Sequence, residues 1–184
     1  MLPYAGPELA NAFRTVRNNT IRIAEEIPED QYGFRATPTS RSIAQLLIHI
    51  VHAPRFAYRV HAELKLTSFE GFDFMGLMQD AIAAEQNPPA KAEILAQLRA
   101  ARDTFADWME KVTPGFLAEQ VAAPAIAQQP PKSRFEMLLG VKEHEMHHRG
   151  QLMLLQRMVG IVPHLTRERE ARMAQMMQQA AAKS

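Results

Sequence analysis

The chain has 184 residues, 47% of them hydrophobic and 22% charged, with a formal net charge of +1 and no cysteine. This length and balance fit one globular domain with a sizeable core. The near-neutral charge supplies no basic field for nucleic acid. The lack of thiols excludes disulfides, thiolate metal ligands and a cysteine nucleophile, so any metal must be held by histidine, carboxylate, carbonyl or water.

The first residues, MLPYAGPELANAF, contain no basic region followed by an apolar run, and no secretory signal is expected. Leu9, Phe13, Val16, Thr20, Ile23 and Ile27 alternate spacings of 4 and 3, which predicts a first helix from about Pro7 to Ile27. The segment PEDQYGFRATPTS is a loop rich in turn residues, and Thr39 or Ser40 is expected to cap a second helix. Ile43, Leu46, Leu47, Ile50, Ala53, Ala57 and Leu64 are expected to form the buried face of that helix, and Pro54 is expected to kink it. Its most apolar part, Ile43 to Ala53, is too short to span a bilayer. A cytoplasmic protein with no membrane and no nucleic-acid partner is the expectation.

A connection from Thr67 to Ala90 holds a short helix, Phe74 to Glu85. A third long helix follows Asn87-Pro88-Pro89 and ends at Pro114-Gly115. Residues 116–132 have no helical period and read as an extended crossover. Ser133 and Glu136 then match a capping box that opens a fourth helix running to about Gly160. The bundle domain is drawn at 1–165. The tail 166–184 is polar and methionine-rich and reads as an appended helix or a frayed end. Four long amphipathic helices make an all-α, four-helix bundle, and the long second connection lets helices two and three run parallel.

The fourth helix carries the most informative feature. Met137, Val141, His144, His148, Leu152, Leu155 and Val159 follow spacings of 4, 3, 4, 4, 3 and 4, the buried stripe of a helix. Two adjacent stripe positions are histidines. A lone histidine there would read as a core residue bonded to backbone or carboxylate. Two at i and i+4 favour a shared metal ion, because a metal would satisfy both imidazoles. His147 falls on the margin of the stripe. A third ligand is expected from another helix, where His49 flanks the apolar face and His52 points largely away. His61 and His164 read as ordinary surface residues. Glu143 and Glu145 read as a solvated face, Arg149 as a tie to a neighbouring carboxylate, and mid-helix Gly150 as a point of close helix approach.

HEMHHRGQL at 144–152, preceded by TPTSRSIAQLLIHIVHA at 37–53, resembles the DinB/YfiT-like superfamily. The resemblance covers the chain to about Pro163. It implies an up-down-down-up bundle and a divalent metal, zinc or nickel, held by one histidine of the second helix and two of the fourth. By position these are His49, His144 and His148. It also implies a homodimer, and a small-molecule substrate such as a low-molecular-weight thiol, since relatives include bacillithiol- and mycothiol-using S-transferases and a mycothiol-dependent isomerase. The tail beyond Pro163 departs from the usual short ending.

Three imidazoles leave one position of a tetrahedral metal open for water or a thiol. The leading expectation is a metal-dependent thiol S-transferase or related detoxification enzyme. The alternatives are a non-catalytic metal-binding stress-response protein and a metal-dependent hydrolase. No catalytic side chain beyond the metal ligands is singled out.

Overall fold

The computed structural model describes residues 4–182, and its architecture is set by four long helices. These are α1 (Gly6–Glu26), α2 (Ile43–Tyr58), α4 (Lys91–Met109) and α6 (Arg134–Met158). Three more accompany them: α3 (Phe74–Gln86), the short α5 (Pro114–Ala118) and α7 (His164–Ala181). Among the described residues no helix is long and apolar enough to cross a membrane.

Cross-helix contacts give the directions. Arg14 pairs with Asp107 and Glu110, while Lys91 donates to the Ile27 carbonyl, so α1 and α4 are antiparallel. Arg17 binds Glu145 and Glu26 binds Gln156, so α1 and α6 are parallel. Arg17 reaches the carbonyls of both Ile50 and Leu98, and Tyr58 packs on Trp108, so α2 and α4 are parallel. The bundle is therefore up-down-down-up, with α3 in the crossover between the two parallel helices.

Two apolar clusters fill the interior. One gathers Ile23, Ile27, Ile43, Leu47, Leu98 and Leu152, and the other Leu9, Phe13, Phe105, Met109 and Leu138. A polar layer lies between them. Arg17 is fully buried and donates Nε to Glu145 Oε1 at 2.8 Å, Nη1 to the Leu98 carbonyl at 3.1 Å and Nη2 to the Ile50 carbonyl at 3.1 Å. The last bond has a local cause. The helical partner of the Ile50 carbonyl would be the N–H of residue 54, and Pro54 has none. Helix α2 is not broken there. It continues to Tyr58 and then through a π turn, Arg59–Glu63, with the arginine satisfying the freed carbonyl.

Several sequence expectations are corrected. Glu145 is not on a solvated face but buried against Arg17. The α2 cap is Ser42, whose hydroxyl accepts from Gln45 N–H while the Gln45 side chain accepts from Ser42 N–H. Ser40 instead closes a turn with Thr37. Residues 116–132 are not simply extended. Pro114 opens α5, capped by Thr113, and Gln120–Val121 pairs antiparallel with Lys132–Ser133. The residues after Pro163 form α7, which is largely exposed; positions 183 and 184 lie outside the described residues. Gly150 is exposed, and a Cβ there would meet nothing within 4 Å. The glycine that permits close approach is Gly6, where a Cβ would lie 2.5 Å from the Met109 carbonyl oxygen.

His61 and His164 are buried rather than on the surface. His164 contacts Asn19 at 3.3 Å. His61 Nδ1 accepts from Arg134 Nη1 at 3.0 Å, and because arginine only donates, this ring must be neutral. Arg134 also binds Glu119 and the Lys65 carbonyl, joining the end of α2 to the start of α6.

Two outcomes follow from these buried groups. Arg17→Ala removes the hydrogen-bonded partner of buried Glu145 and the donor to the Ile50 and Leu98 carbonyls, and should cost roughly 3–5 kcal/mol, measured by urea unfolding. Burial, and then the Arg134 charge, lower the His61 pKa from 6.5 to about 4. The unfolded chain therefore takes up this proton first, so stability should fall as pH drops from about 6.5 towards 4. Thermal melts of His61→Gln should show a shallower decline over that window.

Candidate metal centre

His49, on α2, and His144 and His148, on α6, meet in the polar layer. They offer ligand nitrogens that all lie within 4.8 Å of one another. The i, i+4 pair projects from one face of α6, and the antiparallel α2 brings His49 opposite it. His49 Nε2 and His144 Nε2 face each other at 3.1 Å. With metal–nitrogen bonds of 2.0–2.1 Å, two tetrahedral ligands would stand about 3.3 Å apart. The spacing therefore suits a shared cation.

The remaining ring nitrogens are largely accounted for. Glu85 Oε1 accepts from His49 Nδ1 at 2.7 Å, and Gln151 Oε1 accepts from His148 Nδ1 at 2.8 Å. Each bond puts the ring proton on Nδ1 and leaves Nε2 as a free lone pair, the tautomer a metal requires. His144 Nδ1 is buried without a partner. Burial lowers the His144 pKa to about 4, helped by the neighbouring histidines and Arg41, and burial lowers that of His148 as well. Both rings are thus neutral near pH 7, as ligation demands. The donor set fits a divalent ion of the zinc type.

His147 is exposed and outside the cluster, hydrogen-bonded to Gln151 Nε2 at 3.2 Å. His52 is half-buried on a nearby wall and does not join the three. Glu143 is exposed. Arg149 forms no ion pair with a neighbouring helix among the described residues; the charge offsetting its burial is Glu145, one turn back on α6.

Two supporting residues escaped the sequence reading. Gln151 lies three residues after His148 and four after His147, a spacing that places it beside both. Glu85 had no such signal. It comes from α3, a helix with no buried residue, and Arg41 holds its other oxygen at 2.6 Å. Helix α3 also walls a cavity of ≈ 430 Å³ that opens beside His49 and His144, against Phe56 of α2 and Met137 and Val141 of α6.

An antiparallel-and-parallel helical bundle with three inward histidines on its second and last long helices defines the class. The chain belongs to the DinB superfamily, whose profile matches residues 12–152. In structure it is similar to a DinB-like protein from Bacillus subtilis, at TM-score 0.62 and 22% identity, covering 83% of this chain and 92% of that one. It is similar to a DinB-like protein from Bacillus cereus at 0.63 and 17%, covering 85% and 93%. A third neighbour is the colibactin self-resistance protein ClbS, solved in complex with a dsDNA, at 0.61 and 18%, covering 85% and 98%. No curated protein matches the chain in sequence.

Alanine at His49, His144 or His148 should abolish stoichiometric binding of zinc, measured by elemental analysis after dialysis. His147→Ala should leave it intact. Glu85→Gln should weaken it by about 10–100-fold, because the His49 ring loses its charged partner.

Proposed function

We propose that the protein holds a divalent metal, zinc or nickel, on His49, His144 and His148 and catalyses a thiol S-transfer or related detoxification reaction. The observation that carries this reading is the convergence of three imidazoles, two of which, His49 and His144, also line an apolar cavity. Bound there, the metal would act as a Lewis acid that favours the thiolate form of a substrate thiol. The chain supplies the rest. Glu85 and Gln151 hold the protons on His49 and His148 and keep both rings in register. Phe56, Met137 and Val141 keep water from the electrophile. In the reaction the thiol proton goes to solvent, sulfur bonds to the electrophilic carbon, and the leaving group departs with its electron pair.

A homodimer belongs to the same reading, with the exposed Met173, Met176 and Met177 of α7 as apolar surface available for the contact. A DNA-binding reading has the ClbS complex in its favour. Against it stand a net charge of +1 and the absence of a basic aromatic stripe, so we do not adopt it.

Cobalt substitution tests the chemistry. Adding a small thiol such as bacillithiol or mycothiol to the cobalt protein should produce a sulfur-to-metal charge-transfer band, and His148→Ala should not show it. A broad thiol panel that leaves the spectrum unchanged would defeat the thiol reading in favour of a hydrolytic or structural metal site.

A further inference from the structure

Gly140 stands in mid-α6, one helical turn before His144. Such a glycine costs roughly 1 kcal/mol relative to alanine. Its backbone does not require it, because the glycines with positive φ are Gly71 and Gly160. Packing does not require it either, since a Cβ at Gly140 would meet nothing within 4 Å. What the missing side chain leaves is room. Gly140 is part of the wall of the ≈ 430 Å³ cavity, directly beside His144.

The cavity has a definite chemistry. Phe56 is braced by three other rings: Phe74 edge-on at 5.3 Å, Phe69 stacked at 6.2 Å and Phe72 at 6.2 Å. Met78 and Met137 add thioethers, which pack well on ring edges. The charged groups on its lining, Arg55 and Asp80, are both exposed. Phe56 and Phe74 beside adaptable methionines favour a ring-bearing, uncharged group.

We propose that this cavity binds an apolar, ring-bearing small molecule beside His144, and that Gly140 sets the size of the group admitted. The role of that molecule as substrate rests on the metal-centred reaction proposed above; its binding does not.

Fluorescence titration with 1-N-phenylnaphthylamine, a neutral aromatic probe, tests the site on the zinc-loaded protein, with zinc content measured on the same samples. Wild type should show saturable binding of one probe per chain. Gly140→Leu should weaken it by about tenfold or more while zinc content stays unchanged. Ala81→Phe, from the α3 wall, should weaken it similarly, so a folding defect in either variant, detected by thermal melting, does not decide the matter. Gly150→Leu, on the same helix but away from the cavity, should bind as wild type does. The proposal is overturned if wild type shows no saturable binding, or if folded Gly140→Leu and Ala81→Phe proteins bind the probe normally. Probe binding that depends on Gly140 in a protein that takes up no zinc would uphold the cavity and defeat the metal reading instead.

Discussion

The buried arginine at position 17 is the contact on which the bundle's geometry depends. A single guanidinium reaches a side chain of α6 and carbonyls of α2 and α4 from its own position on α1. Apolar packing alone tolerates rotation of one helix against its neighbours, because hydrophobic contact is non-directional. Three charge-assisted bonds in fixed directions do not. Glu145 adjoins His144, so the bond that fixes Glu145 towards α1 also fixes where His144 points. The rotational phase of α6, and with it the meeting of three imidazoles, follows from a residue that touches none of them.

The support of the three-histidine cluster is divided between strong and weak parts of the fold. His144, His148 and Gln151 lie on one continuous helix anchored in the core. His49 depends on Glu85, which rides on a helix with no buried residue. Such a helix belongs to the low-stability end of a structure, where local opening is easy. Arg41 ties it down at the start of α2. The Arg41–Glu85–His49 chain thus connects a helix without buried residues to the histidine cluster.

The long helices and their buried faces were legible because 4-and-3 spacing records burial directly. The His144–His148 pair was legible for the same reason, as polar residues in an apolar series. Errors arose where a charged or polar residue was assumed to face water. Glu145 looked solvated because its partner is 128 positions away. Arg17 did leave a trace, lying in phase with buried Phe13 and Thr20. His61 and His164 read as surface residues because one lies beyond the expected kink at Pro54 and the other beyond the helix-ending Pro163, whereas a π turn continues α2 through His61 and α7 begins at His164. Glu85 left no trace, since α3 has too weak a periodicity to show which face meets α2.

Helix α3 supplies both a wall of the cavity and the carboxylate that orients the His49 ring. A change in this one segment therefore alters both what fits in the cavity and how the His49 ring is held. During divergence these two properties would not drift independently. Exchange of residues 74–86 would transplant cavity shape and histidine support together, without touching the core of the bundle.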